Sequence, residues 1–292
     1  MKTFKPLLTV MGLMLALMLA ATAAAAPTLT FKFTKVNVPG AIATALGGIN
    51  NDGVIVGEYE DAKTVLHCFM MVGSKVTTID YPKAASDSCI HINSAGAIVG
   101  GWKNSAGTPT GFVYQNGKFT NIPGPKGAIS SVAYGINDSG VIVGTYSTTV
   151  TEIHAFILKG KTYTTIDPPG ATLAIATAIN NAGEVVIAYG TSEGGLSSAL
   201  YNGKTFKTIN VPGAANSFAN DINNAGDIAY ETLNANASKA AAYLFQAGKF
   251  YPVNYPKSAD SSVTGLNDKG EVVGYYQTSS ITGPDLGFSA TY

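Results

Sequence analysis

The chain has 292 residues, with 18 lysines balanced by 18 acidic residues, three histidines and no arginine. Nucleic-acid binding calls for a basic surface, and without arginine there is no bidentate fork for carboxylate or phosphate, so composition argues against a nucleic-acid partner. Only 12% of residues are charged, which leaves the polar surface to Thr, Ser, Asn, Gly and Gln and suits an extracellular setting.

The N-terminus opens with Lys2 and Lys5, runs through an apolar stretch at 7–20, and ends it in Ala21-Thr22-Ala23-Ala24-Ala25-Ala26 before Pro27. This is the pattern of a secretory signal peptide over 1–26, cleaved near 23–25 because Pro27 is a poor residue to follow a cleaved bond. The apolar stretch falls short of the roughly 20 residues of a membrane span. The mature protein is expected as a secreted or periplasmic monomer without a membrane span, in one domain over 27–292.

The rest of the chain is one motif repeated. It shows best at 133–146: an apolar strand ending in Ile136, the turn Asn137-Asp138-Ser139-Gly140, then a second strand over 141–146. The turn Asn recurs at Asn50, Asn93, Asn137, Asn180, Asn223 and Asn267, at spacings of 43, 44, 43, 43 and 44 residues, each with Gly three positions later. A fixed period of this size marks a propeller, solenoid or array. Mechanically, Asn starts a type I turn through its side chain and Gly takes the left-handed conformation after it. These turns offer too few carboxylates for a calcium site, which needs six to eight oxygens.

Each repeat continues into a third strand and, through a Gly-Lys turn in the third copy, a fourth, here 154–158 and 163–167. Alternating apolar and β-branched residues bounded by Gly, Asn and Pro are strand signals. The last copy ends after its third strand, at Tyr292. The missing fourth strand stands at the N-terminus, where 33–41 (FTKVNVPGA) matches 206–214 (FKTINVPGA) almost residue for residue. A ring closed by that strand leaves only short, protected edges. The expected fold is therefore all-β: a six-bladed β-propeller of four-stranded blades, its ring closed by the N-terminal strand joining the C-terminal blade. Cys68 and Cys89, an even number in an exported chain, permit one disulfide. They could equally be two buried thiols packed as small apolar residues.

The third strands carry a His-Ala-Phe step at His154-Ala155-Phe156 and a varied one at His67-Cys68-Phe69, with departures at Thr110-Gly111-Phe112 and Ala241-Ala242-Tyr243, and Ala199 in the Phe position of the fourth copy. In these steps, and over most of its length, the chain resembles the HAF-repeat proteins, a group of predicted exported repeat proteins. The resemblance implies export and a repeat fold. It transfers no catalytic residue.

Two faces follow from the strand order. One carries the uniform Asn-x-x-Gly turns; the other carries the variable loops near 60–66, 103–109, 147–153, 190–196, 232–240 and 277–285. Function is expected on variable loops held by a rigid scaffold. The ninth residue after each repeat Asn lies near that loop face: Tyr59, Trp102, Tyr146, Tyr189, Thr232 and Tyr276. Such rings either pack between blades or form stacking platforms for sugars. With Glu58 and Glu231, the five aromatics form the candidate ligand-binding set. No nucleophile with a base is evident, and no two acids among Glu58, Glu60, Asp61, Asp87, Glu152, Glu193, Glu231, Asp260 and Asp285 are singled out as a glycosidase pair. His67, His91 and His154 sit on separate blades without zinc-ligand spacing, so no metal or other cofactor is expected. The reading is a non-enzymatic binding module for a glycan, polymer or protein. The alternatives are an extracellular hydrolase or lyase with acids at the channel mouth, and a purely structural extracellular protein.

Overall fold

A computed structural model describes residues 29–236, 238–279 and 283–292. The signal-peptide stretch lies outside them. The described strands form six four-stranded antiparallel blades. Their first strands are Ala43–Ile49, Ser86–Ile92, Ser130–Ile136, Ala171–Ile179, Asn216–Ile222 and Asp260–Leu266. Blades four and five are joined by a single parallel bridge, Leu196 to Asn216. Blade six takes Lys32–Lys35 as its outer strand, paired with Leu286–Thr291 from Lys32 opposite Thr291 to Lys35 opposite Phe288. The N-terminal strand thus closes the ring, as the repeat arithmetic requires.

The hydrophobic core is divided into six parts, one between each pair of neighbouring blades. Two consecutive residues of every second strand explain this. Their side chains alternate across the sheet, so the sixth residue after the repeat Asn faces the following blade and the fifth faces the preceding one. Val56 meets Ile98, Val99 meets Ile142, Val143 meets Val185, Val186 meets Ile228, Ala229 meets Val272, and Val273 meets Ile55 across the closure. Both faces of each blade are buried, so the second strand reads as a continuous Ile-Val run rather than an alternation.

The Gly after that run stands opposite the Phe of the third strand: Gly100 opposite Phe112 and Gly144 opposite Phe156. A Cβ on Gly144 would come within 2.1 Å of Val132 O and 3.0 Å of the Phe156 ring. Blade four exchanges the volumes, setting Ile187 against Ala199, both buried. Blade five fills the place from the second strand with buried Tyr230, whose hydroxyl donates to Ile209 O at 2.9 Å.

The repeat Asn does two jobs. In blade three, Asn137 Oδ1 accepts from Ser139 N and Val141 N at 3.1 and 3.0 Å, and Gly140, at φ 74°, donates to Asn137 O at 3.0 Å. This is the expected turn. The amide Nδ2 reaches into the next blade and donates to the carbonyl of the next repeat Asn. The bonds run Asn50 to Asn93, Asn93 to Asn137, Asn137 to Asn180, Asn180 to Asn223, Asn223 to Asn267, and Asn267 back to Asn50, at 3.0 to 3.3 Å. All six Asn are buried. A disulfide between Cys68 of blade one and Cys89 of blade two, with Cα atoms 5.3 Å apart, adds a covalent staple between these blades.

Removing residues 28–38 would strip the outer strand from blade six and leave the 286–291 edge open to other chains. The truncated protein is expected to melt about 5–10 °C lower and to self-associate on size exclusion, whereas removal of 1–23 leaves both profiles unchanged. A monomeric truncation with an unaltered melting transition would mean this strand does not close the ring.

Candidate functional site

The channel is lined by the first strands. In each of them the register slips at the residue three before the repeat Asn. Such a bulge breaks the in-out alternation and re-aims one side chain. The bulged residues are Gly47, Ile90, Tyr134, Thr177, Asn220 and Thr264, and all six line a cavity of about 230 Å³ in the channel. On its turn side the bore is bolted. His91 Nε2 lies 3.3 Å from Asp221 Oδ1, joining blades two and five from opposite sides of the ring. Asp221 also accepts from Ile222 N and Leu266 N at 2.8 and 2.9 Å. Their counterparts Gly48, Gly135, Ala178 and Gly265 are small, which leaves room for the crossing.

The aromatic set near the loop face is packed rather than displayed. Tyr59, Tyr146 and Tyr189 lie against the inter-blade cores. Their hydroxyls meet Thr78, Thr165 and Thr208 of the fourth strands at 3.0, 2.7 and 3.1 Å. Trp102 Nε1 donates to Asn121 Oδ1 at 3.2 Å, and its ring stacks on Tyr81 from blade one at 4.2 Å. Tyr276 stacks in the same way on Tyr255 from blade five at 3.8 Å. Of these five rings, Tyr276 alone also lines the cavity described next.

Glu58 and Glu231 occupy the same repeat position, eight after the Asn, in blades one and five. Tyr275 holds that position in blade six between them. Ser262 Oγ donates to Glu231 Oε2, and Ser88 bonds Glu58 in the equivalent place. Burial pushes both glutamates above the ordinary carboxylate range, and the neighbouring charge of Asp285 adds to it. Asp285 itself is pushed up by burial, against the hydrogen bond from Gln277 Nε2 at 2.6 Å. Burial, with Glu231 adding, also raises the Tyr275 hydroxyl. Glu231, Asp260, Asp285, Ser262, Gln277, Tyr275 and Tyr276 line a cavity of about 310 Å³ between blades five and six.

Asp61 and Glu152 have partners within their own loops. Asp61 accepts from Lys63 N and Val65 N in its own loop. Glu152 accepts from Thr148 Oγ1, and Glu193 is exposed. His67 and His154 each place Nδ1 2.7 Å from the acid that follows their blade's fourth strand, Asp80 or Asp167. The other oxygen of that acid accepts the Cys68 or Ala155 N–H. Asn210, Asn254 and Asn37 take this place in blades four, five and six, where no His precedes. Asp167, expected at the end of the fourth strand, therefore lies past Thr162–Thr165 as a clamp on the third. Among the described residues no group of three or more His, Cys, Asp or Glu side chains is arranged to hold a metal ion. Gln277 and Ser262 were not singled out by the sequence. Ser262 could have been found, because Ser88 stands in the same repeat position.

The fold and closure define a six-bladed β-propeller. Solved structures with this arrangement include a fungal lectin from Aleuria aurantia, described as a six-bladed β-propeller with a novel fucose recognition mode. It is 12% identical, with 84% of this chain and 91% of that one covered and a TM-score of 0.51. AofleA from Arthrobotrys oligospora gives 13%, 89% and 92%, and a TM-score of 0.54. The β-propeller domain of the Trilobed protease from Pyrococcus furiosus, described as having an open velcro topology, gives 13%, 87% and 79%, and 0.52. At these identities the likeness is one of fold. No family model and no curated protein sequence matches the chain.

Asp87 stands where blades one, three, five and six carry the hydroxyls of Thr44, Ser131, Ser217 and Ser261. It is 5% exposed and accepts the Tyr81 N–H. Burial, opposed by that bond, pushes its carboxyl up to about 6 from 3.8. Between those values the folded state holds the proton more tightly than the unfolded chain, so this acid's contribution to stability is present at low pH and is lost as pH rises through about 4 to 6. Glu58, Glu231 and Asp285 act in the same direction. Asp87→Asn is expected to stabilise the fold by about 2 kcal/mol at pH 7 and to flatten the decline of the melting temperature over that window. An Asn variant that melts lower at pH 7, with the slope unchanged, would contradict this.

Proposed function

We propose that the protein is an exported, non-enzymatic carbohydrate-binding propeller that takes a glycan at the cavity between blades five and six. The cavity itself carries the reading. Ligand sites are concave, with a few convergent polar groups on an apolar wall. Here carboxylates, an amide and hydroxyls converge beside the Tyr275 and Tyr276 rings on the variable loop face, which suits a sugar's hydroxyl edge and its C–H face. Fucose-binding lectins among the structural neighbours support the reading, as does the neutral, arginine-free composition. Export rests on the 1–26 pattern and the HAF-repeat resemblance; an intact mass of the released protein that begins near residues 24–26 would agree with it.

One observation favours a second reading. Glu58, Glu231 and Asp285 are half-buried and are pushed up together by burial, as an acid catalyst in a hydrolase or lyase would be. The two readings separate in one experiment, in which a broad panel of soluble and cell-wall glycans is titrated and then assayed for new chain ends. Saturable binding without cleavage, weakened at least about tenfold by Glu231→Ala through loss of a charged hydrogen-bond acceptor, is the expected result. Cleavage that Glu231→Ala abolishes would replace binding with hydrolysis or lysis. Binding of no panel member would remove both.

A further inference from the structure

The cavity between blades five and six is rich in acceptors and holds no cationic donor. Asp260, 6% exposed, accepts the Ala240 N–H at 2.6 Å. Glu231 accepts the one hydroxyl proton of Ser262. Asp285 accepts from Gln277 Nε2 at 2.6 Å, and this bond fixes the amide, since its carbonyl edge cannot face a carboxylate. Gln277 Oε1 is consequently turned to the opposite side. There, on a side chain that lines the cavity and belongs to a residue 7% exposed, it has no hydrogen-bond partner among the described residues. A buried carbonyl without a donor is uncommon and calls for one. No lysine lines the cavity, and the chain has no arginine. Three carboxylates and an unsatisfied carbonyl thus surround a recess of about 310 Å³ with no cation of the protein's own.

We propose that this cavity recognises the ammonium group of an unacetylated hexosamine within a glycan. The inference rests on the glycan-binding reading and narrows it to a class of sugar. An ammonium brings three donors and a positive charge. It can satisfy Gln277 Oε1 while compensating Glu231, Asp260 and Asp285, which a neutral hydroxyl would leave uncompensated in a poorly solvated site. The pressure of burial on Glu231 and Asp285 agrees, because a bound cation relieves it. The Tyr275 and Tyr276 rings supply the wall for the sugar's C–H face, a surface that the narrow tip of a lysine side chain would not need.

Isothermal titration of the full mature chain at about pH 5.5, low enough to keep charged a sugar amine whose basicity the neighbouring ring oxygens reduce well below that of lysine, tests this with four probes: a four-sugar glucosamine oligomer, its fully N-acetylated counterpart, cellotetraose and tetralysine. The glucosamine oligomer is expected to bind at least tenfold more tightly than the other three. Glu231→Gln and Asp285→Asn, both isosteric, should each bring the affinity for the glucosamine oligomer down towards that for the acetylated one. Gln277→Leu, which keeps all three carboxylates, should reduce it as well. Melting curves identify any variant that fails to fold. Equal affinity for amine and acetylated oligomers overturns the ammonium assignment but leaves glycan binding intact. Tetralysine binding as tightly as glucosamine overturns it in favour of a general cation site. A preference that survives both carboxylate substitutions puts the amine elsewhere and also overturns it. Binding of none of the sugars removes this inference together with the glycan reading.

Discussion

The structure depends on a ring of six side-chain amides. Each repeat Asn folds its own turn with the carbonyl oxygen and reaches the neighbouring blade with the NH₂. Aspartate could perform the first task, but it has no donor for the second. This accounts for Asn at all six positions, although aspartate is equally at home in such turns. Because the bonds run head to tail and close on themselves, every blade is held to two neighbours by the same contact. Outside this ring a partial second one forms from the next residues, for example Asn181 Nδ2 to Asp138 Oδ2 at 2.7 Å and Asn224 Nδ2 to Asp268 Oδ2 at 2.8 Å. Ser94 of blade two bonds Asp138 through its N and its Oγ at 2.8 and 3.1 Å, and among the described residues the ring is open between Asn51 and Ser94.

A scaffold that repeats so closely makes its exceptions informative. His91 and Asp221 break a run of small residues and bolt the bore. Asp87 replaces a hydroxyl and raises the cost of folding at neutral pH. Glu58, Tyr275 and Glu231 fill a position that is Gly101, Thr145 or Ala188 elsewhere, and they fall on three consecutive blades, five, six and one. The channel mouth is therefore polar and acidic on one side and plain on the other. Half-buried acids collect where the repeat departs from itself, on the face whose loops vary.

Much of the architecture was legible because it is periodic. The spacing of Asn and Gly counted the blades, and the match of 33–41 with 206–214 located the closing strand. The donor half of the Asn ring was not legible, since it depends on where the next blade's turn lies. The pairing of His67 with Asp80 and of His154 with Asp167, each 13 residues apart, left a trace that could have been read: blades without His carry Asn in the acid's place, except blade two, which has Pro123. The site was harder. The N+9 aromatics resemble stacking platforms in sequence, but Tyr59, Tyr146 and Tyr189 end their hydroxyls on fourth-strand threonines, and Trp102 and Tyr276 stack on a tyrosine of the preceding blade. Bulges three residues before each Asn disturb the alternation, so channel-facing residues such as Tyr134 and Asn220 could not be assigned by counting.

The amide ring is tested most directly by comparing one interior bond with the bond that closes the circle. Asn180→Asp removes the donor to Asn223 O, and Asn267→Asp removes the donor to Asn50 O; both also lose the same bond to their own blade's glutamate, Glu184 or Glu271, and both keep the acceptor that shapes the turn. In a closed ring the two losses are equivalent, and denaturant unfolding should show each variant destabilised by a similar amount, about 2–3 kcal/mol for a buried amide replaced by a group that cannot donate. In an open array the terminal contact matters less than an interior one. A closing-bond variant as stable as the unaltered protein, beside a clearly destabilised interior variant, would contradict the account.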